Sequence, residues 1–198
     1  MQLVLATNNP DKIEEIKFLL EDLPVTILTR DDFLEFPDVE ETGSTLEENA
    51  LLKAKVIAEF CDLPALADDS GLEVDALDGA PGVLSSRYAG ENATYKDNCK
   101  KLLKELKGVP KKKRTARFRC VIAIDWHDGT THTTEGVAEG LITEDYKEDK
   151  GFGYDPVFYF PPKKKRFSEM KTEEKNIVSH RGIALQNMVG MIMERANK

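Results

Sequence analysis

The order of patterns in residues 1–28 is what most restricts the fold of this chain. The apolar run Leu3-Val4-Leu5-Ala6 stops at Asn8-Asn9-Pro10, a strong turn signal. Ile13, Ile16, Leu19 and Leu20 then recur at helical spacing, and Val25-Thr26-Ile27-Leu28 follows as a second β-prone run. An opening of the form β-loop-α-β points to an α/β protein whose first loop sits at the end of a strand.

The remaining pattern extends that reading. An acidic loop runs from Glu35 to Gly43. Ser44-Thr45-Leu46-Glu47 has capping-box spacing, which predicts Ser44 as N-cap and Glu47 reaching back to it. Leu46, Ala50, Leu51, Ala54, Ile57 and Ala58 form the apolar stripe of the helix that follows. Pro64-Ala65-Leu66-Ala67 reads as a short strand entering a turn at Asp68-Asp69-Ser70-Gly71, with a second strand leaving through Leu72, Val74 and Ala76. Gly79–Gly82 reads as a loop, Tyr95–Leu106 as a helix and Lys111–Arg114 as a solvated turn. Segments 116–126 and 131–141 flank His127-Asp128-Gly129-Thr130 and predict an antiparallel hairpin. A strand at Val157–Phe160 and a helix from about Ser179 through Ile192 complete the chain. No repeat or linker interrupts it, so residues 1–198 read as a single domain.

Composition narrows the class of function. Of the 198 residues, 40% are hydrophobic and 32% charged, and the formal net charge is −8. Those values suit a soluble globular protein. The negative charge speaks against a nucleic-acid surface, which needs a basic face. No apolar run has the length of a membrane span, and the N-terminus lacks a signal peptide's basic flank. The three cysteines, Cys61, Cys99 and Cys120, form no CxxC pair, which favours free thiols in the cytoplasm over a disulfide framework.

The residues with chemical potential fall in a few segments. Two adjacent carboxylates, Asp68 and Asp69, beside a buried strand need compensation by donors or a cation. Mg²⁺ fits that requirement, and so does an Asp-rich turn with Asx capping. The acidic segment Val39–Gly43 offers a further ligand or a solvated patch. Thr7 to Lys12 (Thr7, Asn8, Asn9, Pro10, Asp11, Lys12) opens a helix with amides, a hydroxyl and a cation, a candidate triphosphate cradle or a plain strand-to-helix turn. Gly-Phe-Gly-Tyr-Asp-Pro at 151–156 either stacks a base on Phe152 or simply anchors a turn. Ser179-His180-Arg181-Gly182 supplies donors at a helix start, or only a cap. A P-loop, a dinucleotide fingerprint and a zinc-type histidine spacing are all missing from the sequence.

Taken in order, these segments resemble the inosine/xanthosine triphosphate pyrophosphatase family, the Ham1-like house-cleaning enzymes. The matching pieces are Leu-Ala-Thr-Asn-Asn-Pro-Asp-Lys, Glu-Glu-Thr-Gly-Ser-Thr-Leu-Glu-Glu-Asn-Ala, Ala-Asp-Asp-Ser-Gly-Leu, Gly-Ala-Pro-Gly-Val-Leu-Ser-Ser-Arg-Tyr, Gly-Phe-Gly-Tyr-Asp-Pro and Glu-Glu-Lys-Asn-Ile-Val-Ser-His-Arg-Gly. They run from residue 2 to about residue 185. One departure is Lys147-Glu148-Asp149-Lys150-Gly151, where relatives commonly carry a more glycine-rich stretch.

The resemblance implies an α/β fold with a long central mixed sheet flanked by helices, two lobes with a nucleotide cleft between them, and a homodimer. It implies hydrolysis of ITP, dITP and XTP to monophosphate and pyrophosphate with Mg²⁺. Thr7 to Lys12 would hold the triphosphate, Lys53 would add charge, Ser70 would touch substrate, and Asp69 would bind the metal together with Glu40, preferred to its neighbour Glu41 by its position before Thr42-Gly43. Asp69 would also accept the proton. Phe152, Gly153, Tyr154, Asp155, Lys175, His180 and Arg181 would surround the base. Two other readings stand beside this one: a Maf-like enzyme acting on other nucleotides, and a nucleotide sensor without turnover.

Overall fold

The computed structural model describes residues 1–147 and 151–197, so the departure at 147–151 lies mostly outside the described residues. The opening pattern folds as its spacing predicts. Strand β1 (Gln2–Leu5) leads into helix α1 (Pro10–Leu19), whose N-cap Asn9 accepts from the N–H groups of Asp11 and Lys12 at 3.0 and 3.3 Å. Pro10 sits at the first helical position, where its missing N–H costs nothing. Strand β2 (Thr26–Leu28) then pairs parallel to β1, with Leu3 opposite Ile27.

Helix α2 (Leu46–Cys61) starts one residue later than its capping pattern suggests. The cap is Thr45, which exchanges hydrogen bonds with Glu48, while Ser44 adds its own N–H and hydroxyl to the same carboxylate at 2.7 and 2.8 Å. Two consecutive hydroxyl residues followed by two consecutive glutamates allow either register, and the helix takes the later one.

The expected turn at Asp68–Gly71 is not a turn. Strand β3 (Ala65–Val74) runs straight through it, and only Ala76 of the expected second strand lies outside, in a 3-10 turn at Asp75–Leu77. Gly71 serves close approach, because a Cβ there would lie 2.5 Å from the Gly82 carbonyl oxygen. That carbonyl belongs to β4 (Pro81–Gly82), a short strand antiparallel to β3 inside the segment expected to be a loop.

Helix α3 (Tyr95–Glu105) is capped by Thr94 with Asp97. The basic stretch after it is only partly solvated. Lys111–Lys113 are exposed, but Arg114 is buried and gives its guanidinium to the carbonyls of Leu106, Val109 and Thr143 at 2.8–3.0 Å. Strands β5 (Thr115–Asp125) and β6 (Thr131–Ile142) are neighbours, their connection closed by the Trp126 N–H on the Thr130 carbonyl. Then come β7 (Phe158–Phe160), β8 (Lys165–Arg166), α4 (Thr172–Val178) and α5 (His180–Ala196), of which β8 and α4 have no counterpart in the sequence reading. In β8, Arg166 forks onto both Asp145 carboxylate oxygens at 2.8 and 2.9 Å.

Among the described residues the eight strands form one mixed sheet in the order β2-β1-β3-β5-β6-β7-β8, with β4 on β3, and five helices accompany it. No described helix is long and apolar enough to cross a membrane. The chain divides into two compact units, residues 1–69, 120–136 and 180–198, and residues 70–119 and 137–179. In the first, Leu3, Leu5, Leu66, Ile122 and Ile124 from the strands pack with Ile16 and Leu20 and with Ala184, Leu185, Met188 and Ile192 of α5. In the second, Leu72, Val74, Leu102 and Ile142 surround Phe118, Phe158 and Phe167, whose ring centroids lie 4.6–5.8 Å apart.

Candidate active site

The centre of the first unit follows from strand geometry. Consecutive residues of a strand point to opposite faces, so Asp68 and Asp69 address different helices. Asp68, fully buried, meets Lys12 of α1 at 3.0 Å and Arg181 of α5 at 3.1 and 3.2 Å. Arg181 also holds Glu15 of α1 through a short ion pair. Asp69 meets α2 instead. There Lys53 interrupts the apolar stripe of Ala50, Ala54 and Ile57, and its ammonium donates to Glu41 Oε1 at 2.7 Å, the Asp68 carbonyl at 2.8 Å and Asp69 Oδ1 at 3.2 Å.

These contacts set opposite proton affinities on adjacent side chains. Burial pushes the Asp68 carboxyl up, but the charges of Lys12, Arg181 and Lys53 outweigh it and hold that group well below the ordinary range. Burial also pushes Asp69 up, and there it prevails, with the Glu41 charge adding to it against the pull of Lys53. Lys53 loses by burial and gains more from Asp69, Asp68 and Glu41, so its ammonium stays charged. Divergent values on neighbouring carboxylates separate a permanent anion from a proton acceptor.

A hard divalent cation fits this set. Three cations, Lys12, Lys53 and Arg181, face four carboxylates, Glu15, Glu41, Asp68 and Asp69, which leaves one negative charge when all are ionised. Asp69 and Glu41 both reach the Lys53 ammonium, at 3.2 and 2.7 Å. Among the described residues no three metal-ligating side chains converge, so the protein would contribute carboxylates and leave other positions to phosphate and water, as Mg²⁺ accepts.

Other expected residues of this unit have local partners or positions of their own. Thr7 accepts from the Asn9 N–H at 3.2 Å, Asn8 donates to Asp38 at 2.9 Å, and Asp11 is half-buried in the first turn of α1. Glu40 is exposed, and Glu41 is the residue that Lys53 draws in. His180 begins α5 and is buried, and the Arg181 guanidinium faces Asp68 and Glu15. Sequence reasoning missed Glu15, and it weighed Glu41 only as the alternative to Glu40 for a metal. A signal existed for Glu15: it stands three residues after Lys12 among apolar positions, on the helix face that turns inward.

The second unit holds Phe152, Gly153, Tyr154, Asp155 and Lys175 of the residues expected around the base, and Ser70, whereas His180 and Arg181 belong to the first. Ser70 follows Asp69 in β3 and is half-buried. Lys175 of α4 pairs with Asp155 at 2.6 Å in a nearly dry contact, the two side chains being 8% and 3% exposed. The same ammonium lies 4.5 Å from the Phe152 ring centroid, and Asp155 accepts from the Phe152 N–H at 3.3 Å. Gly153 adopts a positive φ of 59°, and its carbonyl takes the Cys99 thiol at 3.3 Å. Burial and the nearby Asp155 push that thiol up to about 12. Tyr154 donates to the Ser85 carbonyl at 2.9 Å, so it anchors the loop.

Fold and constellation together define a mixed α/β protein with a charge-dense centre of carboxylates and lysines. The model of the Ham1 family matches residues 3–191, and the chain belongs to that family. It is 53% identical over 184 residues to the dITP/XTP pyrophosphatase of Geobacter sulfurreducens, covering 93% of this chain and 92% of that protein. It is 43% identical over 187 residues to the dITP/XTP pyrophosphatase of Bacillus subtilis, covering 94% of each. The solved HAM1 protein of Coxiella burnetii superposes with a TM-score of 0.88 at 44% identity, covering 98% of this chain and 99% of that one.

Proposed function

We propose that this chain hydrolyses the non-standard purine nucleoside triphosphates ITP, dITP and XTP to monophosphate and pyrophosphate, removing them from the nucleotide pool before they enter DNA or RNA. The observation that carries the reading is Asp69, a buried carboxylate whose proton affinity burial raises, 3.2 Å from the Lys53 ammonium and next in sequence to Asp68, which Lys12 meets at 3.0 Å. The names of its relatives in Geobacter sulfurreducens and Bacillus subtilis support the same substrate class.

In this reading Asp69 takes the proton of the water that attacks the α-phosphorus, and its raised proton affinity suits that step. Lys12 and Lys53 place positive charge against the phosphates and the departing pyrophosphate, the dominant kind of contribution in phosphoryl transfer. The N-terminus of α1, with Thr7 to Lys12 around it, favours the same anion through its dipole. Asp68 keeps Lys12 in place, and Arg181 with Glu15 keeps Asp68 in place. Mg²⁺, held by Asp69 and by Glu40, would neutralise charge developing on the phosphate oxygens. Glu40 is exposed and open to the ion, whereas Glu41 serves Lys53 as counter-ion.

Base selection is assigned to Phe152, Gly153, Asp155 and Lys175. An ammonium donor satisfies the six-position oxygen of hypoxanthine or xanthine and opposes the amino group of adenine. Discrimination built on such a bond reaches about 10⁴-fold. Homodimer formation and residence in the cytoplasm belong to the same proposal, and the free thiols of Cys61, Cys99 and Cys120 favour a reducing compartment.

The test is a panel of ITP, dITP, XTP, ATP and GTP with Mg²⁺, with products identified. Pyrophosphate should appear from the inosine and xanthine nucleotides, and Asp69→Asn should cut kcat by about 10²–10⁴-fold while ITP binding persists. Orthophosphate as the product, or full activity of Asp69→Asn, would overturn the mechanism.

A further inference from the structure

The acidic segment 35–43 lies outside every described helix and strand, so its carboxylates hold their places only through side chains that tie the segment down. Asn8 and Arg30 each hold Asp38 at 2.9 Å, and helix α2 ties down the C-terminal end of the segment. Lys53 takes the Glu41 carboxylate at 2.7 Å, and one turn earlier Asn49 accepts the Gly43 N–H on its Oδ1 at 2.7 Å. Asn49 and Lys53 are four residues apart and share one helix face. Their two grips on the loop, at Glu41 and Gly43, leave only Thr42 between them.

The two ties differ in kind. Lys53 is a charged group with a second task, since it also faces Asp69 and the substrate phosphates in the reading above. Once its ammonium turns toward a phosphate, Glu41 loses that partner. Asn49 has no second task. It is 1% exposed, its Oδ1 is given to Gly43, and its Nδ2 has no hydrogen-bond partner among the described residues. A buried amide with an unpaired donor is costly, and here its acceptor holds the acidic loop. The fit leaves no slack: a Cβ on Gly43 would lie 2.6 Å from Asn49 Oδ1 and 2.7 Å from Glu48 Cβ.

We infer that Asn49 is a positioning residue for the metal: through the Gly43 N–H it fixes the loop that carries Glu40 and Glu41 relative to Asp69. The inference rests on the proposed function, and the experiment separates the two. Mn²⁺ is titrated by electron paramagnetic resonance in the presence of α,β-imido inosine triphosphate, which cannot be cleaved. Asn49→Ala should weaken Mn²⁺ binding about 10–100-fold, the usual effect of losing a group that orients a metal ligand, with the analogue's metal-free affinity unchanged. Gly43→Ala attacks the same bond from the loop side and should give the same loss. The double variant should be no worse than the more affected single one, because one interaction is removed twice.

A purely structural role for Asn49 predicts a lower Tm with unchanged Mn²⁺ affinity, and that result overturns the inference. So does additivity in the double variant. Gly43→Ala leaves Asn49 itself intact, which keeps the inference refutable if Asn49→Ala fails to fold. Asp69→Asn is the reference for the site: if it keeps wild-type Mn²⁺ affinity, the metal reading falls and this inference falls with it. If Asp69→Asn loses the ion and Asn49→Ala does not, only the inference falls.

Discussion

A guanidinium only 1% exposed inside a protein needs compensating partners, and Arg181 faces two carboxylates, Asp68 and Glu15. Breaking a buried ion pair from one side leaves the other side charged and dry, which costs about 3–5 kcal/mol. Arg181→Met should therefore lose about that much stability in denaturant unfolding, a large share of a typical total of about 5–15 kcal/mol. If Arg181 instead acts by touching the base, the same variant would raise KM for ITP and leave the unfolding midpoint in place. The sequence motif Ser-His-Arg identified the residue, but not its partners. Those come from α1 and β3, over a hundred positions away in the chain, and no local pattern encodes such a meeting.

Helices and strands with strong periodicity were readable because one period suffices to define them. Helix α1, helix α3 and the strands β5 and β6 lie where their spacing predicts. Strand β3 was misread because Asp-Asp-Ser-Gly is turn-like in composition, and only lysines and an arginine supplied by three helices make its carboxylates tolerable within a sheet. Helix α4 escaped because its seven residues span too little for an apolar stripe. Close packing between elements was invisible in the same way, and two glycines make it measurable. At Gly136 in β6 a Cβ would lie 2.1 Å from the His180 carbonyl oxygen and 2.4 Å from the Ala184 nitrogen, whereas at Gly190 in α5 nothing lies within 4 Å. Gly136→Ala should destabilise by about 1–3 kcal/mol or more through overpacking. Gly190→Ala, exposed in a helix interior, should stabilise by about 0.8–1.0 kcal/mol. Opposite shifts of the urea midpoint check both, and a tolerated Gly136→Ala would contradict the packing of β6 on the start of α5.

At the scale of the molecule, the sequence located Asp68 and Asp69 but could not assign them different roles, since identical neighbours diverge only through partners brought by other elements. That divergence has a consequence for the stability of the whole chain. Asp69 has a folded-state proton affinity above its unfolded value of 3.8, so the folded chain takes up its proton first as pH falls. Its contribution is fully present below 3.8 and is lost as pH rises through the higher folded value. Asp68 is the reverse: its folded value lies below 3.8, so its contribution is complete above 3.8 and is lost as pH drops further. Without metal, stability should rise as the pH falls from neutral through the Asp69 transition, then decline once the depressed carboxylates are protonated. Asparagine imitates a protonated aspartate, so Asp69→Asn should melt above the wild type at pH 7 in the presence of a chelator. The gap should close as pH falls toward 3.8, because the wild-type side chain then carries its own proton. Thermal melts of both proteins from pH 7 to 4 measure that gap directly. A constant difference across the range would mean that Asp69 titrates alike in the folded and unfolded chain, and the burial argument for its role as proton acceptor would go with it.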